Sequence, residues 1–309
     1  VTRAALIEGV HLSRTQGRRA LLDDVSLEVR RGDMYALVGE EGSGRTTLAR
    51  ILVGLAQPTT GEARLMGAEV GPQSYRVLER VGFLGDDLPI WGGLSTRGNV
   101  QRLLDLRGIS DPDTADRALA RVGLETHAEQ SASSLGDDAR RLLGLAQAIA
   151  HDPELLVLDE PTRGLGGAER RTVVGLLRTL AVERQVTMFI CTRVADGLIE
   201  LATHVGILRD GRLVDRFDRE GLRERGREHV EIVVSDPARA AVVLEEQLGH
   251  SDFAVCQDNL IRVYMPARRA GELNAALVDE GIAVSRLAVN EGSLDALLER
   301  LARPEDEDR

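Results

Sequence analysis

Two short stretches hold residues whose types and spacing fit phosphate chemistry. The first is Gly39, Glu40, Glu41, Gly42, Ser43, Gly44, Arg45, Thr46 and Thr47, which follows a short apolar run and opens a segment with helical spacing. It matches the phosphate-loop pattern G-x4-G-K-[ST], with Arg45 at the lysine position. Small residues let backbone N–H groups turn inward around phosphate oxygens, and the positive end of the following helix adds to the attraction. The Thr46 hydroxyl is a candidate Mg²⁺ ligand. The competing reading is a glycine-rich strand-to-helix turn that binds nothing. In the second stretch, four apolar residues (155–158) end in Asp159 and Glu160. The carboxyl end of a strand in an open α/β sheet is where ligands bind. Asp159 would hold Mg²⁺ through water and Glu160 would polarise an attacking water. The competing reading, a solvated acidic strand end, is weakened by the phosphate loop upstream.

The elements that must position these residues follow from hydrophobic spacing. Residues 5–8 and 25–30 alternate as strands, and 34–39 form a short apolar strand. A helix is expected over 46–55, a hairpin around 64–69, and helices over 100–107, 114–122, 138–150 and 168–183. The continuous apolar runs at 155–158 and 186–191 have the character of parallel strands buried on both faces. Residues 205–214 read as a hairpin around Asp210 and Gly211. Strands alternating with helices give an α/β core. Beyond a charged stretch at 218–228 the pattern becomes βαββαβ, with a last helix at 294–301, the order of a small ferredoxin-like α+β domain. The acidic tail, 304–309, is expected to be disordered.

Composition sets the outer bounds. Net charge is −11, which disfavours nucleic acid or an acidic membrane surface as a partner. Two cysteines are too few for a disulfide framework. No apolar run reaches the roughly 18 residues of a membrane span, and no signal peptide is evident, so a cytoplasmic protein is expected. The basic residues are all arginine, with no lysine anywhere in the chain. His151 and His204 lack partners at metal-ligand spacing and are expected to be structural, and Trp91 is expected to pack within the helical region.

These motifs, with the text around them, resemble the ATP-binding subunit of ABC transporters over about residues 3–217. Residues 142–165, LLGLAQAIAHDPELLVLDEPTRGL, are similar to the family's signature helix and Walker B strand. Residues 81–96, VGFLGDDLPIWGGLST, resemble the Q-loop segment, and 205–214, VGILRDGRLV, the hairpin after the switch residue. Residues 281–302 are similar, more weakly, to the tail domain of the drug- and bacteriocin-export branch. The resemblance implies a P-loop NTPase of ABC type with a helical subdomain at about 86–150, all within a nucleotide-binding domain at 1–217. A linker (218–228) and a small C-terminal α+β domain (229–303) follow. It also implies ATP and Mg²⁺ as ligands and a separate transmembrane permease as partner. The implied location is peripheral, at the inner face of the membrane. In the family two such domains meet head to tail, here as a homodimer or as a heterodimer with another ABC ATPase.

Carried over position by position, much of the chemistry is altered. Arg45 replaces the phosphate-loop lysine, a change a lysine-free chain could hardly avoid. The Q-loop position holds Asp86, the D-loop position Gly166, the switch position Arg193, and the adenine-stacking position Gln16. The signature loop reads Leu135, Gly136, Asp137, Asp138, Ala139. A carboxylate about 5 Å from a phosphate, at an effective dielectric near 20, costs roughly 3 kcal/mol before screening. The alternative is that both acids face solvent, where most of that cost is screened. Asp86 is still a hard oxygen ligand for Mg²⁺, and Arg193 could act as an arginine finger. Two readings stand: an exporter ATPase subunit that binds Mg-ATP with hydrolysis weak or partner-dependent, and a catalytically inactive pseudo-ATPase with a regulatory or scaffolding role.

Overall fold

The structure is a computed structural model describing residues 4–71, 74–87, 89–193, 197–225 and 227–290. The chain divides into two compact units with the boundary between Arg219 and Glu220. The expected helix at 294–301 and the tail at 304–309 lie outside the described residues.

The first unit opens with β1 (Ala5–Gln16), β2 (Arg19–Arg30), β3 (Met34–Val38), α1 (Arg45–Leu52), β4 (Thr60–Leu65), β5 (Ala68–Glu69), α2 (Tyr75–Leu78) and β6 (Val81–Leu84). Next come α3 (Thr96–Leu106), α4 (Asp113–Val122), α5 (Asp137–Ile149), β7 (Leu155–Asp159), α6 (Gly167–Val182), β8 (Thr187–Thr192), β9 (His204–Arg209) and β10 (Arg212–Asp218). One sheet is antiparallel with order β2-β1-β4-β5. The other has order β10-β9-β3-β8-β7-β6 and is parallel except for the edge strand β10.

The continuous apolar runs behave as burial on both faces requires. Leu155 and Val157 of β7, with Phe189 and Cys191 of β8, join a core shared with α1 and the antiparallel sheet. Their alternates Leu156, Leu158, Met188 and Ile190 join a second core with residues of α3, α4, α5 and α6. Successive side chains of a strand point to opposite faces, so a run of apolar residues feeds two layers at once.

The second unit begins with α7 (Arg219–Arg225), of which Arg219 belongs to the first. Then come β11 (His229–Val234), α8 (Pro237–Glu246), β12 (Phe253–Val255), β13 (Leu260–Val263), α9 (Ala270–Asp279) and β14 (Val284–Asn290). The sheet order β12-β13-β11-β14, antiparallel throughout, is that of a ferredoxin-like fold. Asp236 caps α8 by accepting from the Arg239 N–H at 3.1 Å, with Pro237 at the first turn. Val230, Ile232, Ile261 and Val263 pack with Val243, Leu244, Leu273 and Leu277 of the two helices.

Candidate functional site

Strands β3, β8, β7 and β6 are neighbours and run parallel, so the segments leaving their carboxyl ends gather at one edge of the sheet. β3 leads into the glycine-rich loop and α1, β8 into Arg193, β7 into Glu160 and β6 into Asp86. Together these residues line a cavity of about 240 Å³: Glu40, Glu41, Gly42, Ser43, Gly44, Arg45, Thr46, Thr47, Asp86, Glu160 and Arg193, with Arg19, Leu21 and Arg163 added.

The loop requires its glycines. A Cβ at Gly39 would stand 2.3 Å from the Leu208 carbonyl oxygen. At Gly44, where φ is +104°, it would stand 2.4 Å from that of Leu21. The backbone is therefore wedged against two strands with its N–H groups at the start of α1, the arrangement that cradles phosphate. The Ser43 hydroxyl is buried there without a hydrogen-bond partner.

Arg45 is buried, and its Nη1 lies 2.8 Å from Glu160 Oε1. Arg193 also approaches Glu160, with Nε at 3.7 Å, and reaches Glu41 Oε2 at 3.4 Å. Asp86 is engaged by Arg163 at 2.8 Å. Burial raises the Glu160 pKa, and the charges of Arg45 and Arg193 only partly offset it. Burial raises Asp159 as well, with the neighbouring Thr46 hydroxyl pulling the other way and the Asp86 charge adding to the rise. Neither Asp159 oxygen has a hydrogen-bond partner. Among the described residues, five of the nine buried side-chain polar atoms without such a partner belong to Ser43, Arg45, Asp86 and Asp159. Arg45 Nη1 and Asp86 Oδ1 face charged groups at 2.8 Å, so the unmet polar capacity at this edge is the Ser43 hydroxyl and the Asp159 carboxylate, which suit polar groups from outside the chain.

An orphaned buried carboxylate beside the Thr46 hydroxyl fits a hard cation. Among the described residues no three His, Cys, Asp or Glu side chains group to hold a metal by themselves. Mg²⁺ is usually bound through one or two protein oxygens and shared with phosphate. Asp159 and Thr46 would hold it, and it would neutralise phosphate charge.

The signature-loop residues stand apart from the cavity lining. Leu135 is buried, Gly136 precedes α5, and Asp137 and Asp138 are exposed in its first turn. Asp138 accepts from the Ala139 N–H at 2.8 Å. Carboxylates at a helix N-terminus are favourable to that helix. Gly166 precedes α6. Gln16 is exposed at the end of β1, paired with Arg19, and it is Arg19 that lines the cavity. The expected structural histidines have protein partners. His151 Nε2 meets the Val81 carbonyl at 3.1 Å, and burial lowers its pKa to about 4. His204 stacks on Tyr35.

Three residues at this edge carried no sequence signal of their own: Arg19, Arg163 and Arg141. Arg141 of α5 is buried, and its guanidinium donates to three backbone carbonyls. Nε reaches Glu160 O at 3.0 Å and Nη1 reaches Gly85 O at 2.9 Å. Nη2 reaches Glu160 O at 2.6 Å and also Asp159 O.

A glycine-rich strand-to-helix loop beside paired acids at the end of a parallel strand defines a P-loop nucleotide-binding domain. A family model described as ABC transporter matches residues 22–163. The chain is 32% identical over 292 residues to the bacitracin transport ATP-binding protein BcrA of Bacillus licheniformis, covering 94% of this chain and 95% of that protein. It is 31% identical over 296 residues to BcrA of Enterococcus faecalis, covering 96% of each. The fold matches the ATP-binding cassette MJ0796, solved as a dimer in a post-hydrolysis state with ADP and Pi. The TM-score is 0.64 at 20% identity, over 69% of this chain and 98% of that one. The chain belongs to the ATP-binding proteins of ABC transporters. No described helix is long and apolar enough to cross a membrane.

Proposed function

We propose that this chain is the Mg-ATP-binding subunit of an exporter, with residues 1–217 as the nucleotide-binding domain and hydrolysis that depends on a partner. It would act at the inner face of the membrane with a separate permease, as one half of a homodimer or heterodimer. The carrying observation is the buried pair Asp159 and Glu160 at the end of β7, facing a glycine-rich loop whose cation, Arg45, touches Glu160. The relatives named for bacitracin transport support a role in transport, and export is the direction this reading adds. Arg45 and the backbone N–H groups would take the phosphates, Thr46 and Asp159 the cation with Asp86 as a further candidate ligand, and Glu160 would polarise water. Arg193 stands close enough to Glu160 to act on the same oxygens. Phosphate release is the test, measured on the purified chain alone and with its permease. Turnover is expected with the permease and absent from Glu160→Gln; no turnover above that control in either preparation overturns the reading.

The Arg45–Glu160 contact also favours a second reading, in which the chain binds nucleotide as a regulatory pseudo-ATPase. Titration calorimetry with Mg-ATP separates the two. Binding with no turnover in the assembled transporter favours the second reading, and steady turnover removes it.

A further inference from the structure

We propose that Arg141 is a positioning residue that fastens α5 to the end of β7 and sets where Glu160 stands. This inference rests on the reading of Glu160 as the water-polarising group. Four observations carry it.

Arg141 is 5% exposed, and no described carboxylate pairs with it; its guanidinium is held by the carbonyls of Gly85, Asp159 and Glu160. Burying a cation without an opposing ion costs several kcal/mol unless its donors are well satisfied. The planar fork of arginine, with five N–H donors in a fixed geometry, is pre-organised to donate to several fixed oxygens at once. Burial, then the Arg163 charge, pulls its pKa below the ordinary arginine value, while Asp86, Asp159 and Glu160 act in the opposite sense.

The carbonyl that takes two of its donors belongs to a strained residue. Glu160 has φ +51°, in the left-handed region that side chains other than glycine rarely occupy. That twist turns the chain at the strand end, with the Glu160 N–H bound to Cys191 O at 2.8 Å and its carbonyl accepting from Arg163 N at 3.1 Å. Arg141 closes the same knot from the side of α5. It also reaches Gly85, the residue before Asp86, so one side chain links the segments leaving β6 and β7 to the helix that begins at Asp137. A shift of α5 would thus reach the Glu160 backbone through a single rigid group.

The test compares wild type with Arg141→Met and Arg141→Lys in the full chain, by hydrogen exchange and by turnover with the permease. In Arg141→Met, exchange of the Glu160 and Arg163 amides is expected to speed at least tenfold, with the amides of Tyr35 and Met188 unchanged. The kcat is expected to fall about tenfold with KM for Mg-ATP within twofold. Arg141→Lys should show the same pattern at smaller amplitude, since an ammonium serves fewer carbonyls, and it remains the readout where the methionine variant fails to fold. Wild-type protection at Glu160 and Arg163 in a folded variant overturns the inference. So does a uniform loss of protection along β3, β7 and β8, which would mark Arg141 as general support. If the wild type itself shows no turnover, the hydrolysis reading fails and exchange alone decides on Arg141.

Discussion

The two ends of the short strand β7 are electrostatically opposite. At its start, Glu154 takes hydrogen bonds from Arg80 and Arg31, which lower its pKa to about 2. At its end, Asp159 and Glu160 are buried and their pKa values are raised. The larger cavity, about 530 Å³, lies at the start of the strand over Leu156, Leu180 and Val186. Its charged side chains are already paired, Arg31 with Glu154 and Arg184 with Asp152. The smaller cavity at the other end holds the unpartnered Ser43 hydroxyl, and the unpartnered Asp159 carboxylate stands at the same strand end. Cavity size therefore points away from the chemistry, and unmet polar capacity points to it.

The largest expected effect comes from spoiling the phosphate cradle. Gly44→Ala forces a Cβ toward the Leu21 carbonyl at a backbone angle alanine avoids, and should cost about 3 kcal/mol in a denaturant melt. Mg-ATP binding should be lost by calorimetry. Next, Glu160→Gln frees Arg45 and removes a like charge from beside the phosphates. Affinity for Mg-ATP should tighten roughly tenfold, about 1.4 kcal/mol; an unchanged affinity would show that the Arg45 contact restrains nothing.

Asp159→Asn inverts the usual sign. A carboxylate raised in the folded state adds stability below its unfolded pKa and loses it as pH rises through the folded value. Ionised Asp159 therefore costs stability at neutral pH, and the asparagine variant should melt higher than wild type at pH 7, with the gap closing in acid. The smallest effect is at the opposite end. The lowered pKa of Glu154 gives stability that is present above the unfolded value of 4.5 and lost as pH falls through about 2. Its side chain is 39% exposed, so Glu154→Gln should cost less than about 1 kcal/mol at pH 7 and less again in salt.

Much of the scaffold was legible because it rests on local pattern. The runs at 155–158 and 186–191 announced strands buried on both faces, and the βαββαβ order announced the second sheet. Strands β1 and β2 are longer than the alternating segments 5–8 and 25–30 because His11 and Asp24 take positive φ at register shifts, which breaks the alternation. The helix expected over 46–55 ends at Leu52, before Gly54 turns left-handed. Trp91, expected to pack within the helical region, is 37% exposed, with its backbone N–H and carbonyl both bonded to the Asn99 side chain of α3. At the site, the loop and the acids were visible as motifs. The contacts that set their state were not: Arg45 with Glu160, Asp86 with Arg163, and Arg141 with three carbonyls join residues distant in sequence. An arginine in the second turn of a helix ordinarily signals a solvated face.

The phosphate end also contains its own clock. Cys191, opposite Asp159 on β8, is fully buried, its thiol pointing to the Arg45 carbonyl at 3.5 Å. Burial drives its pKa well above the ordinary thiol range, so an alkylating reagent must wait for the edge to open. Cys256, in the second unit, is only partly buried. Labelling kinetics would give two rates from one molecule: a slow one timing the breathing beneath the phosphate loop, and a faster one for the second unit, with bound nucleotide slowing only the first.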